Sequence, residues 1–287
     1  MNILITNQQL WPMRGSENWC YSVGQELVRR GHQVFIYSPM PREGAKAFAD
    51  IGIKFTACGD FDLILENHNV LPPTCKGRVI IHTCHGSIRE ERPMPGVINV
   101  AATDRASKAW NLDTVIYNGI DCERMKPIKE PNKEIRNVLS LCSSREADNV
   151  IREICGELGY SFWPTYGQEV LSVENLINWA DVVFGVGRSC LDAMACGRLV
   201  ISFDCRPYIH MNHGLGYLYP YMVKNDQTNL TGPQNTWTKE ELKKELLKYD
   251  TADGIHNRDY ILNFRNIQET VNRYLLIYEE TKDLQRS

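Results

Sequence analysis

The chain has 287 residues, of which 43% are hydrophobic and 23% are charged, and its formal net charge is −3. This composition is typical of a globular protein with a proper core, and the length suggests one large domain or two. The small negative charge excludes a bulk electrostatic attraction to nucleic acid. The sequence shows neither a signal peptide nor an apolar run of the about eighteen residues that a membrane span requires.

The ten cysteines are scattered without CxxC spacing. Such cysteines are most simply buried, reduced thiols. We therefore expect a cytoplasmic protein without an integral membrane segment.

The first half of the chain alternates strands and helices. We predict a strand over residues 2–6, a helix with Ser16 as its N-cap that ends near Arg30, and a strand over residues 33–37, which together form a βαβ unit. Apolar runs predict four more strands, near residues 54–57, 63–65, 79–81 and 97–100. Because these runs do not alternate with polar residues, we expect an α/β fold whose sheet is covered on both faces.

A polar, charged seam over residues 117–133 separates the halves, and Asn118, Gly119, Pro127 and Pro131 interrupt regular structure there. Beyond it, predicted strands cover residues 137–142, 160–163, 182–184 and 199–203. Predicted helices cover residues 146–158, 173–179, 188–196 and 239–248. In the tail, apolar residues at helical spacing from Arg258 to Leu284 predict one long helix with a single apolar stripe.

The βαβ unit at residues 182–203 carries the clearest chemical signal. Gly185 and Gly187 let the backbone approach a ligand, and the helix that follows offers unpaired N–H groups and its positive dipole end to a phosphate. Arg188 adds a cation that can donate two hydrogen bonds. Asp192, one turn further on the same face, could accept hydrogen bonds from ribose hydroxyls. The pattern indicates a nucleoside diphosphate site.

Two other interpretations of this unit remain open. Arg188 and Asp192 could be a solvated pair after an ordinary glycine turn. Alternatively, Gly185, Gly187 and Asp204 copy most of the dinucleotide fingerprint of an NAD-dependent oxidoreductase, although Cys190 stands where that fingerprint has a glycine or alanine.

Other polar groups follow predicted strands. Gly15 and Ser16 place a second helix N-terminus near an anion or hydroxyl ligand. His85 ends a strand where loops surround a site, and His68, His82 and Cys84 nearby raise a zinc alternative, although His82 and His85 point to opposite faces of a strand. A polar, glycine-containing stretch could cover a donor molecule; it contains Tyr208, His210, His213, Gly214 and Gly216.

Four phrases carry a family resemblance: VIYNGIDCERMKP, ADVVFGVGRSCLDAMACGRLVIS, RGSENW with the helix to RRGHQVFIY, and FDLILENH followed by IIHTCHG. In content and order they resemble the GT-B glycosyltransferases of glycosyltransferase family four. The resemblance implies two Rossmann-like domains that face a cleft, with residues 1–125 as the acceptor domain and residues 126–257 as the nucleotide-sugar domain. Residues 258–287 would form a helix that crosses back to the N-terminal domain.

The family's reaction implies transfer of a hexosyl or pentosyl group from a nucleoside-diphosphate sugar, usually with retention of configuration and without a metal or other cofactor. By position, Asp192 replaces the glutamate that holds the ribose, and Phe184 stands where the family has another glutamate. The residues predicted to bind the donor are Gly15, Ser16, Gly185, Gly187, Ser189 and Asp192. The residues predicted to be catalytic are His85, Arg145 and Arg188.

The resemblance also leaves questions open. The acceptor could be a saccharide, a lipid-linked sugar, a small molecule, a protein or a modified nucleic acid base. A non-catalytic partner of another transferase is a third functional class, beside the transferase and the oxidoreductase.

Overall fold

The computed structural model describes residues 1–13, 15–86, 89–168, 173–206, 213–225, 228–232 and 237–284. The chain folds into two compact units. Unit 1 contains Met1–Asp121 and Arg265–Ser287, and unit 2 contains Cys122–Phe264.

Unit 1 is built on one parallel sheet. Its elements are β1 (Asn2–Thr6), α1 (Gly15–Arg29), β2 (Gln33–Tyr37), α2 (Gly44–Asp50), β3 (Lys54–Phe55), β4 (Gly59–Glu66), β5 (Cys75–Cys84), β6 (Ile98–Ala101), α3 (Asp104–Trp110) and the C-terminal helix, which is numbered below. The six strands lie in the order β3-β2-β1-β4-β5-β6, and neighbouring strands are parallel. The α/β prediction for the first half is therefore confirmed.

Unit 2 has a second sheet. Its elements are β7 (Asn137–Ser140), α4 (Arg145–Leu158), β8 (Ser161–Pro164), α5 (Val173–Trp179), β9 (Val182–Gly185), α6 (Arg188–Ala195), β10 (Leu199–Asp204), β11 (His213–Tyr217), α7 (Pro220–Asn225), α8 (Lys239–Leu246) and α9 (Thr251–Phe264). The five strands lie in the order β11-β10-β9-β7-β8, all parallel to their neighbours except β11. Carboxyl ends of parallel strands share one edge, so the loops after β7 and β9 and the end of β10 lie together.

The C-terminal helix, α10 (Ile267–Leu284), packs on α1 in the core of unit 1. Trp19, in the second turn of α1, is fully buried and meets Tyr274 of α10 edge to face, with ring centroids 5.7 Å apart. The apolar stripe predicted from the tail thus covers the N-terminal sheet domain, as expected.

Two predicted helix boundaries are wrong. Because α1 begins at Gly15, Ser16 lies in its first turn and is not the N-cap. The single long helix predicted for the tail is divided into α9 and α10. The division arises because the backbone near Asn266 pairs with Ile120: the Ile120 N–H donates to Arg265 O at 2.7 Å, and the Ile267 N–H donates to Ile120 O at 3.0 Å.

The polar, glycine-containing stretch that could cover a donor molecule lies partly in a strand. His213, Gly214 and Gly216 belong to β11, which is antiparallel to β10. A Cβ at position 214 would come within 2.0 Å of Ser202 O, so glycine permits the close approach of the two strands. Tyr208 and His210 lie outside the described residues.

All ten cysteines are free thiols. Most are buried as expected, but Cys58 is exposed and Cys205 is half-buried. Among the described helices, none has both the length and the apolar character needed to cross a bilayer.

Candidate functional site

The turn between β9 and α6 depends on both of its glycines. A Cβ at Gly185 would come within 2.5 Å of Ser189 Oγ. Gly187 precedes the helix with φ +63° and ψ −130°, a conformation that other residues rarely adopt. The Ser189 hydroxyl donates to Val186 O at 2.9 Å and accepts from Val186 N at 3.2 Å. Ser189 therefore shapes the turn, which the sequence did not indicate.

Substitution of Gly187 by alanine should destabilise the protein by about 1–3 kcal/mol, the usual cost of a strained backbone conformation. The nearest neighbour of an added Cβ would be Asn229 at 3.5 Å, an ordinary contact, so the expected loss is conformational rather than steric. Gly156→Ala is the matched control, because position 156 is helical and an added Cβ meets nothing within 4 Å. Urea unfolding should show a gain of about 0.5–1 kcal/mol for this control. Equal effects of the two substitutions would contradict the interpretation of the turn.

Arg188 and Asp192 form a buried pair in the first turns of α6. Arg188 Nε lies 3.7 Å from Asp192 Oδ1, and each side chain is only 9% exposed. Burial raises the pKa of the Asp192 carboxyl, although Arg188 and then Arg124 oppose the shift. Asp192 Oδ1 has no hydrogen-bond donor among the described residues. The alternative of a solvated surface pair is therefore wrong.

Arg145 lies after the neighbouring strand β7, at the same edge of the sheet. It is the first residue of α4, is exposed, and holds its guanidinium 6.0 Å from the centroid of the Tyr166 ring. Ser144 caps the helix by accepting from the Ala147 N–H at 3.3 Å. Since β7 and β9 are adjacent and parallel, α4 and α6 begin at one edge. The structure thus places Arg145 at the same edge of the sheet as the glycine turn, with its guanidinium near Tyr166 after β8 and not within the buried pair.

Asp204 serves a structural purpose at this edge. It is fully buried. Its Oδ2 accepts from Ser143 N at 3.0 Å and from Arg206 Nε at 3.1 Å, and its Oδ1 accepts from Ser144 Oγ at 2.9 Å. These bonds hold the loop after β7. In the dinucleotide alternative this carboxylate would accept hydrogen bonds from a ribose. Both oxygens of Asp204, however, already accept hydrogen bonds from the protein.

Phe184 adds no polar group to the site, because its side chain is fully buried in the core of unit 2.

The candidate residues of unit 1 lie at two strand ends. Gly15 is exposed and Ser16 is half-buried at the start of α1, which follows β1. His85 follows β5, where its Nε2 lies 3.1 Å from Asn67 Oδ1 and its ring meets Trp19 edge to face at 5.2 Å. Two side chains thus hold the imidazole at the carboxyl edge of the unit 1 sheet.

A carboxylate that the sequence did not single out lies beside these histidines. Glu91 Oε1 is 3.4 Å from His68 Nε2. Burial raises the pKa of the Glu91 carboxyl, but His68, His85 and the backbone of Gly86 outweigh it, so the pKa is lowered overall. Nothing in the sequence near Glu91 signals this contact.

The zinc alternative finds no support in unit 1. His82 pairs with Glu66 in the fully buried core. Across the ranges that the structure describes, no three His, Cys, Asp or Glu side chains are grouped as a metal site would require.

No known protein-family profile matches the sequence, and no curated protein is similar to it. Solved structures, however, are similar over nearly the whole chain. A glycosyltransferase from Rickettsia africae ESF-5 has a TM-score of 0.64 at 15% identity, covering 97% of this chain and 98% of that one. HepE from Anabaena, solved with UDP-glucose, has a TM-score of 0.63 at 12% identity, covering 98% and 100%.

An α-glucosyltransferase solved with UDP and DNA has a TM-score of 0.59 at 11% identity, and the similarity covers 97% of this chain and 100% of that one. The chain has the GT-B fold. At such low identities, structural similarity establishes the fold, and the activity has to be argued from the residues of the site. The GT-B expectation from the sequence is confirmed.

Proposed function

We propose that the protein is a glycosyltransferase that takes a sugar from a nucleoside-diphosphate sugar bound by unit 2. The observation that carries the proposal is the buried Arg188–Asp192 pair directly after a glycine turn, in which Asp192 Oδ1 accepts no hydrogen bond from any residue that the structure describes. A nucleoside diphosphate offers both groups that such a pair can bind: phosphate oxygens for the guanidinium and hydroxyls for the carboxylate.

The same arrangement suits the chemistry of transfer. The departing nucleoside diphosphate gains negative charge as its bond to the sugar breaks. Arg188, the N–H groups at the start of α6 and, on the adjacent loop, Arg145 act where that charge develops. These groups would stabilise the leaving group, and the family resemblance implies that the reaction uses no metal or other cofactor.

We assign the acceptor to unit 1, with residues 1–125 as the acceptor domain, residues 126–257 as the donor domain and residues 258–287 as the crossing segment. Gly15 and Ser16 would face the acceptor or the donor phosphate, and His85 would face the transferred sugar. The family resemblance supports a retaining hexosyl or pentosyl transfer, and the scattered, reduced cysteines favour a cytoplasmic setting. HepE, solved with UDP-glucose and with UDP and glucose, supports a uridine nucleotide as the first donor to test.

A thermal shift experiment tests the proposal. The wild-type protein, Asp192→Asn and the exposed control Glu153→Gln are melted with UDP, GDP, ADP, their sugars and NAD. A ligand at one hundred times its dissociation constant should stabilise the wild type and the control by about 2.7 kcal/mol, and the Asp192 variant much less. Stabilisation by NAD alone would favour the oxidoreductase, and stabilisation by no nucleotide would favour a non-catalytic partner protein.

A further inference from the structure

Two more charged side chains lie beside the Arg188–Asp192 pair. Arg124 Nε is 3.8 Å from Glu174 Oε2, and the two side chains are 20% and 21% exposed. Both side chains affect the Asp192 carboxyl: Arg124 lowers its pKa and Glu174 raises it. Arg124, Glu174, Arg188 and Asp192 are called the donor cluster below. Its members come from the polar seam, from α5 and from α6.

Hydrogen bonds fix the backbone that carries Arg124. Asn178 Nδ2 donates to Lys126 O at 3.0 Å and to Glu174 O at 2.9 Å, and Asn178 Oδ1 accepts from Ile128 N at 2.8 Å. Arg258 Nη1 donates to Met125 O at 2.7 Å and also to Ala195 O, at the end of α6. The segment around Arg124 is therefore tied to both helices that supply the carboxylates.

Two carboxylate oxygens of the donor cluster are buried and accept no hydrogen bond within the described part of the chain. Asp192 Oδ1 and Glu174 Oε2 are buried without a hydrogen-bond partner among the described residues, and the Asp192 side chain is 9% exposed. A buried acceptor left in this way costs about 1–3 kcal/mol, more when it is charged. Arg188 Nε lies 3.7 Å from Asp192 Oδ1 and Arg124 Nε lies 3.8 Å from Glu174 Oε2, and both distances exceed hydrogen-bond length. A ligand with two neighbouring donors would therefore satisfy both oxygens.

We propose that Glu174 and Asp192 together bind the vicinal ribose hydroxyls of the nucleotide, and that Arg124 binds a phosphate oxygen of the same molecule. The inference rests on the proposed function, and it adds Glu174 and Arg124 to the donor site. A ribose diol supplies two adjacent donors, and a diphosphate supplies acceptors for the guanidinium groups. Charge-assisted hydrogen bonds of this kind are the stronger ones in proteins.

Calorimetry with UDP, GDP and ADP, each beside its 2′-deoxy counterpart, tests the inference. The wild-type protein should bind the ribonucleotide about 10-fold more tightly than the deoxynucleotide, the effect of one hydrogen bond to a charged group. Glu174→Gln, which removes the charge and keeps the size, should reduce this preference severalfold. Arg124→Met should weaken both nucleotides about 10-fold and leave the preference unchanged.

Glu153→Gln and Arg136→Met are the matched controls, because both side chains are exposed in unit 2 and lie outside the donor cluster. They should bind as the wild type does. This inference would be overturned if Glu174→Gln and Arg124→Met kept the wild-type affinity and the wild-type preference for the ribonucleotide, while Asp192→Asn lost binding. The proposed function would stand in that case. Failure of the wild type to bind any of the nucleotides would overturn both.

Discussion

Replacement of Arg188 by methionine should weaken the binding of the nucleoside diphosphate by about 10- to 100-fold, since a hydrogen bond to a charged group contributes about 1.5–3 kcal/mol. The side chain is 9% exposed and begins α6, where the helix dipole also favours an anion. Isothermal titration calorimetry with the nucleotide that stabilises the wild type measures the loss.

The control for this substitution is Arg136→Met, the same change at an exposed residue just before β7, at the opposite end of the strand from the glycine turn. Because Arg188→Met leaves Asp192 buried without its nearest cation, the melting temperature of the free variant should also fall. Arg188→Lys keeps the positive charge and should recover part of the affinity. An affinity unchanged by Arg188→Met, or reduced equally by Arg136→Met, would contradict a phosphate site at α6.

Substitution of Asp181 by alanine should lower the free energy of unfolding by about 3–5 kcal/mol, because several backbone N–H groups lose their acceptor and each such loss costs about 1–3 kcal/mol. Asp181 is 1% exposed and lies just before β9. Its carboxylate accepts from the backbone N–H groups of Asn132 at 2.8 Å, Arg136 at 2.9 Å and Asn137 at 2.9 Å. Loss of these bonds would release the polar seam from the start of β7.

Urea unfolding followed by circular dichroism measures this effect. Asp259→Ala is the control, since Asp259 is exposed on α9, and its effect should lie within about 0.5 kcal/mol of zero. A loss below about 1 kcal/mol for Asp181→Ala would show that other groups replace the missing carboxylate.

Local signals in the sequence were enough to predict much of the fold. The strand at residues 2–6, the strand at residues 33–37 and the helix at residues 173–179 have the predicted boundaries. The turn at Gly185 and Gly187 was predicted because glycine, a helix start and a buried strand follow one another within a few residues. Short helices such as α2 and α3 were missed, because one or two turns carry too few apolar residues to show a period.

Features that depend on distant residues could not be predicted. The apolar spacing continues from Phe264 to Ile267, so no local pattern reveals that Ile120 pairs there and interrupts the helix. Glu174 and Arg124 meet only because Asn178 joins their backbone segments. Asp204 fitted the dinucleotide fingerprint by spacing, and only the folded chain shows that Ser143 and Ser144 use its oxygens.

The central claim is that a nucleoside-diphosphate sugar binds at the start of α6, and hydrogen–deuterium exchange with UDP-glucose, GDP-glucose and ADP-glucose tests it most directly. At least one of them should slow the exchange of amides in residues 185–192, since a bound diphosphate accepts from the first N–H groups of the helix. The protection should be lost in Arg188→Met and kept in Arg136→Met. Protection confined to unit 1 or to the loop after β10, or no protection by any of the three, would contradict the account.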